Sequence, residues 1–125
     1  MDDRWVRTRV LLGDEACYLL MQARVMVVGL GGVGSYVAEG LARAGIGNLI
    51  LVDPDRVVIS NINRQLVALT STLGQLKVEV MANRIRDINP ECNVETCAIR
   101  CNRDTVNDLL NKEPDYVVDA IDSVP

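Results

Sequence analysis

Residues 29–34 read Gly-Leu-Gly-Gly-Val-Gly, directly after the apolar run Val25-Met26-Val27-Val28 and directly before Ser35-Tyr36-Val37-Ala38. Strand, glycine turn and helix in that order make a cradle for a phosphate, because the free N–H groups of the helix's first turn and the positive end of its macrodipole face an anion. Gly29 permits a tight turn, Gly31 lets the backbone approach a phosphate, Gly34 lets the helix pack closely on the strand, and Gly32 opens the turn further. Alone, the pattern fits a plain β–α connection as well as a nucleotide site. Asp53, nineteen residues after Gly34, tips the balance. It stands where dinucleotide-binding units carry an acid that accepts hydrogen bonds from ribose hydroxyls.

The elements that must position these residues follow from periodicity. Residues 4–22 carry Val10, Leu11, Ala16, Leu19 and Leu20 at helical spacing, with Asp14 as an N-cap, and predict a short helix leading into a first strand at 25–28. A helix over 33–44 stops at Gly45. Leu49-Ile50-Leu51-Val52 is the second strand, ended by Asp53-Pro54-Asp55. Residues 60–65 read as a loop or helical turns, and 75–88 as a long helix with Val78, Met81, Ala82, Ile85 and Ile88 on one face. A third strand over 93–99, a helix over 103–111 and a fourth strand over 116–121 complete the order. The class is α/β, Rossmann-like, with a mainly parallel sheet ordered 3-2-1-4, flanking helices, and ligands above the carboxyl ends of its strands. In that order the fourth strand is an edge, yet its composition is that of an inner strand. The expectation is a single nucleotide-binding domain over 1–125, the N-terminal portion of a longer protein, or else pairing through that edge with another copy.

Composition narrows the function. Of 125 residues 49% are hydrophobic, enough for a real core, and with no Phe and one Trp that core is built from Val, Ile, Leu, Met and Ala. The net charge of −4 argues against non-specific nucleic-acid binding by this chain, which needs clustered Lys and Arg. No leader pattern or membrane-length apolar run occurs, so a cytoplasmic location is expected. Cys17, Cys92, Cys97 and Cys101 form no paired zinc spacing and read as reduced thiols, with Cys97 and Cys101 in a shared environment. Histidine is absent, which leaves acid–base work to carboxylates or to the substrate.

To this point hydride transfer with NAD and chemistry with ATP stand level. Asn61-Ile62-Asn63-Arg64-Gln65 separates them, since a dehydrogenase has no need of it. With the glycine turn, Asp53-Pro54-Asp55, Gly74-Gln75-Leu76-Lys77-Val78-Glu79, Ile88-Asn89-Pro90 and Asp119-Ala120-Ile121-Asp122, in that order, the segment resembles the E1-like adenylating family. That family includes the activators of ubiquitin-like and sulfur-carrier proteins. The resemblance covers nearly the whole chain. Within the family, Arg7-Thr8, Asn89-Pro90-Glu91-Cys92 and Asp119-Ala120-Ile121-Asp122-Ser123-Val124 look most like the tRNA threonylcarbamoyladenosine dehydratase branch.

The resemblance implies ATP and Mg²⁺ as cofactors and adenylation of a carboxylate with loss of pyrophosphate. It makes Arg64 a phosphate contact and Lys77 the lysine that reaches the triphosphate, although by residue type alone both are ordinary surface charges. Asp53 and Asp55 belong to the nucleotide site in this reading. Asn61 and Gln65 hold the nucleotide or order the loop, Asn61 being the better candidate for ligand contact. Asp122 matches the magnesium-binding aspartate, and Arg7 the arginine given across a homodimer to the partner's ATP. Arg7, Arg64 and Lys77 form the catalytic set. In the dehydratase branch the substrate is the threonylcarbamoyl group on tRNA, which cyclises with loss of water. In the other branches it is the C-terminus of a ubiquitin-like or sulfur-carrier protein.

Overall fold

The structure, a computed structural model, describes residues 2–121. Four parallel strands, β1 (Arg24–Val28), β2 (Asn48–Val52), β3 (Asn93–Cys97) and β4 (Tyr116–Asp119), form one sheet in the order β3-β2-β1-β4. This is the α/β, 3-2-1-4 arrangement expected from the sequence. The helices are α1 (Val6–Leu12), α2 (Asp14–Gln22), α3 (Gly34–Ala44), α4 (Lys77–Ile88) and α5 (Val106–Leu110).

Strands buried on both faces explain the continuous apolar runs. Val25, Val27, Leu49 and Leu51 face a large cluster built with α3 and α4, whose Ala38, Ala42, Val78, Met81, Ala82 and Ile85 are fully buried. Met26, Val28, Ile50 and Val52 face the other way, onto Leu109 of α5, with Cys97 and Cys101 packed against them. Each buried Val, Leu, Ile or Met among them contributes about 1.5–3 kcal/mol relative to exposure. Glu39 of α3 pairs with Arg84 of α4 and with Arg43 one turn along its own helix. The hydrogen bond from Arg84 holds the Glu39 carboxyl below the usual carboxylate range.

The strands end level with one another, and this builds the site. Val28 lies opposite Val52 and Asp119, and Val52 opposite Cys97. The ladder continues one step beyond each strand: Gly29 N–H donates to Val52 C=O at 2.8 Å, Asp53 N–H to Cys97 C=O at 3.1 Å, and Ala120 N–H to Val28 C=O at 2.8 Å. Three connections therefore leave the sheet at the same height.

Several sequence-based boundaries are corrected. Residues 4–22 are two helices interrupted at Gly13, preceded by a short 3₁₀ turn, Asp3–Trp5, and Asp14 begins α2 without capping it through its side chain. β3 ends at Cys97 and β4 at Asp119 because both chains turn away to border the cleft above the sheet. α5 is one short turn and a half, where a helix over 103–111 was expected. Asp119 is exposed at the end of β4, and its Oδ1 accepts from Ile121 N–H at 3.2 Å. Among the described residues no helix is long and apolar enough to cross a membrane.

The glycines of the turn earn their places by sterics. Gly29 has φ 95°, in the left-handed region, and a Cβ on Gly34 would lie 1.7 Å from the Gly29 carbonyl oxygen. Gly40, exposed within α3, has nothing within 4 Å of the same position. Gly34→Ala is expected to destabilise the protein by about 3 kcal/mol or more, and Gly40→Ala to stabilise it by about 0.5–1 kcal/mol. Urea unfolding midpoints measure both, and equal effects would refute the assigned helix–turn contact.

Candidate functional site

A cleft lies over the carboxyl ends of β1, β2 and β3. Its floor and sides are Val28, Gly29, Gly31, Val52, Asp53, Asp55, Gln65 and Lys77, and Pro54, Ile99, Arg100, Cys101 and Ile121 complete its rim. The glycine turn leads into α3, whose N-terminus has no side-chain cap. Ser35 N–H is taken by Gly31 C=O at 3.1 Å, so what this end offers an anion is chiefly the positive end of an eleven-residue helix. Ser35, which the sequence analysis passed over, is fully buried in that first turn. Its hydroxyl donates to Gly31 C=O at 2.6 Å and accepts from Leu66 N–H at 3.3 Å, tying the glycine turn to the segment that carries Arg64 and Gln65.

Asp53 is buried, and its carboxylate serves two backbone donors: Oδ2 accepts from Leu30 N–H and Oδ1 from Asp55 N–H, each at 2.8 Å. The residue expected to read the ribose therefore also pins the glycine turn to the end of β2. Asp55 is exposed on the cleft wall, and its C=O accepts from Lys77 N–H at 3.0 Å, which fixes the start of α4 beside the cleft.

Lys77 is only 6% exposed, yet among the described residues its ammonium has no hydrogen-bond acceptor and no ion-pair partner. It borders both the cleft and an adjoining groove lined by Asp55 and Asn61. Its stem is buried while the ammonium keeps access to the cleft, where an anion can join it. Gln65 is likewise 6% exposed, and its Oε1 is buried without a partner. Asn61 is different. Its Oδ1 accepts from Val58 N–H at 3.0 Å, closing the 3₁₀ turn Ile59–Asn61, and it lines the side groove rather than the main cleft. Gln65 thus lines the main cleft and Asn61 the groove beside it, next to Asp55 and Lys77. Side-chain capping takes Asn61's oxygen, a commitment its place in the motif does not disclose.

Arg64 is exposed and lies beside the turn, where a Cβ on Gly32 would sit 3.6 Å from its Cγ. Its Nη1 donates to Ser60 C=O at 3.0 Å and to Asn63 Oδ1 at 2.9 Å, so the guanidinium is turned to its own loop. Arg7 is exposed on α1 and is not among the residues lining the cleft. Asp122 lies outside the described residues. Among those described, no three carboxylates or thiols cluster as a metal cage.

A parallel sheet ordered 3-2-1-4, a glycine turn at a helix N-terminus and an acid closing the second strand define a Rossmann-like α/β fold. The family model that matches residues 4–125 is the ThiF family, and the chain belongs to that family. It is 51% identical over 105 residues to tRNA threonylcarbamoyladenosine dehydratase of Haemophilus influenzae, covering 84% of this chain and 40% of that protein. It is 37% identical over 125 residues to the SAMP-activating enzyme E1 of Haloferax volcanii, covering 98% and 46%. The crystal structure of the Escherichia coli tRNA N6-threonylcarbamoyladenosine dehydratase in complex with ATP superposes with a TM-score of 0.94 at 48% identity, covering 97% of this chain and 50% of that one. The chain thus spans about half the length of the curated relatives it matches.

Replacing Asp53 with alanine leaves the Leu30 N–H buried without an acceptor. Asp53→Ala is expected to lower stability by about 1–3 kcal/mol, with Asp53→Asn, which keeps one acceptor, losing less. Denaturant unfolding reads both. A loss below about 0.5 kcal/mol in the alanine variant would show that the tie does not hold the turn.

Proposed function

We propose that this chain is the ATP-binding part of an enzyme that adenylates a carboxylate, and that the carboxylate belongs to the threonylcarbamoyl group of a modified tRNA. The observation that carries the first step is Lys77, buried at the cleft without an anionic partner among the described residues. With the uncapped N-terminus of α3 beside the glycine turn, it suits a triphosphate. Charge builds on the phosphates as the carboxylate attacks the α-phosphorus and pyrophosphate leaves, and fixed cations stabilise it. Arg64 is close enough to the turn to join them by exchanging its contacts with Ser60 and Asn63. Asp53 and Asp55 face the ribose, and the Gln65 amide meets the nucleotide with the oxygen that nothing else satisfies.

Mg²⁺ fits this donor set. The ion takes one or two carboxylates together with phosphate oxygens rather than a protein cage, and Asp122 directly follows the cleft-lining Ile121. Bound there, the ion would neutralise charge on the phosphates. In this reading the neighbouring carbamoyl group closes the ring on the activated carboxylate, so no covalent enzyme intermediate is needed.

The tRNA reading draws its support from three dehydratase relatives at 47–51% identity, with a fourth at 32%, against 35–39% for the SAMP, sulfur-carrier and molybdopterin-synthase activators. Activation of a carrier-protein C-terminus is the second reading, supported by those same relatives. An NAD oxidoreductase has no observation of its own beyond the glycine turn and Asp53. We also propose a cytoplasmic homodimer. α1 buries none of its own residues, Val10 and Leu11 are 85% and 83% exposed, and the helix is anchored through the preceding Trp5, whose indole N–H donates to Arg43 C=O at 3.0 Å. A second copy covering this face would bring Arg7 to the partner's ATP.

In full-length protein, ATP–pyrophosphate exchange is expected to depend on threonylcarbamoyl-modified tRNA, and Lys77→Ala is expected to slow it by about 10²-fold or more. Exchange driven only by a carrier protein would replace the substrate assignment. Exchange by Lys77→Ala within threefold of the unaltered protein would remove the lysine from the chemistry.

A further inference from the structure

We propose that Ser35 is a positioning residue for the nucleotide's phosphates: its hydroxyl fixes one peptide of the glycine turn so that the Gly32 N–H meets a phosphate oxygen, and it holds the loop that carries Arg64 against that same peptide. The proposal rests on the nucleotide reading above and adds to it a residue outside the ligand contacts. Ser35 is fully buried and is not among the residues lining the cleft, so it acts only through its neighbours.

The first neighbour is Gly31. Its C=O accepts twice from the same residue, from the Ser35 N–H at 3.1 Å and from the Ser35 O–H at 2.6 Å. In a trans peptide the C=O and the N–H of the following residue point in opposite directions, and no described peptide is cis. A Gly31 carbonyl held on α3 therefore directs the Gly32 N–H away from the helix, where no backbone acceptor meets it among the described residues. Gly31 lines the cleft, which puts this peptide beside the ligand. A backbone donor fixed in advance meets an anion without reorganising.

The second neighbour is Leu66. Its N–H donates to the same hydroxyl at 3.3 Å and has no backbone acceptor among the described residues. Arg64 stands two residues earlier, and its Cγ and Cδ are the atoms closest to a Cβ placed on Gly32, at 3.6 and 3.7 Å. The stem of the arginine is thus packed on the peptide whose carbonyl Ser35 holds. Serine suits this place because a hydroxyl donates and accepts at once. Alanine does neither, and it leaves the Leu66 N–H without a partner.

The test titrates full-length protein, Ser35→Ala and Ser35→Cys with ATP and with adenosine, which lacks the phosphates. ATP affinity is expected to fall by more than threefold in Ser35→Ala, to about tenfold if the effect equals one hydrogen bond to a charged group, while adenosine affinity stays within twofold. A general loosening of the fold weakens both ligands alike, so equal losses would overturn the proposal, as would an ATP loss of threefold or less. Should the alanine variant fail to fold, Ser35→Cys, whose thiol is a weak donor and acceptor, is read against the same limits. In an Arg64→Ala background the loss factor for ATP should shrink by at least half, because part of the effect runs through the arginine. An undiminished factor there would refute the shared hold on turn and loop. If the unaltered protein binds no ATP, the nucleotide reading falls as well, whereas ATP binding indifferent to Ser35 refutes the positioning role alone.

Discussion

The hydrogen bond from the Leu30 N–H to the Asp53 carboxylate fixes the relation between two loops that would otherwise be set independently. One leaves β1 and becomes the glycine turn, the other leaves β2 and becomes the acidic turn. Because Asp53 is buried and its other oxygen is bonded to Asp55 N–H, the carboxylate has little freedom to rotate. Asp55 in turn positions the N-terminus of α4 through its carbonyl. A single side chain therefore registers the turn before α3, the acidic wall and the lysine that opens α4. Preorganisation of this kind matters because electrostatic stabilisation is greatest when the charges need not move to meet the reacting group.

The sheet could be read from the amino-acid sequence because its central strands leave almost no choice. Apolar, β-branched runs ending in glycine or Asp-Pro-Asp specify buried parallel strands, and the stripe of Val78, Met81, Ala82 and Ile85 specifies the helix that covers them. The ends of β3 and β4 were less legible. Ile99 and Ile121 retain strand-like composition, yet they lie at the rim of the cleft rather than in the ladder. The break in the N-terminal helix was hidden for another reason. The apolar residues on either side of Gly13 read as one series, although its φ of 88° separates α1 from α2.

The offset from the glycine turn put Asp53, and the family resemblance put Lys77, where each borders the cleft with Gly29 and Gly31, because backbone geometry fixes where those positions fall once the fold is given. They did not reveal which polar atoms were already engaged. Asn61 and Gln65 look equivalent as amides in one motif, but one oxygen is consumed by Val58 N–H and the other is left over. Likewise nothing in the residue types distinguishes Lys77 from a solvated lysine until α4 and the acidic turn enclose it. Ser35 was missed because a serine in a first helical turn is commonplace. Its importance lies in the distant Leu66 N–H that it accepts.

Trp5 is the chain's sole tryptophan, and its indole is docked against Gly45 and the Arg43 carbonyl at the end of α3. The tryptophan fluorescence of this domain is therefore a report on the N-terminal arm. Emission would shift to the red when the arm lifts, even while the sheet and the cleft stay folded, and a transition followed by that signal alone would track undocking before it tracked unfolding.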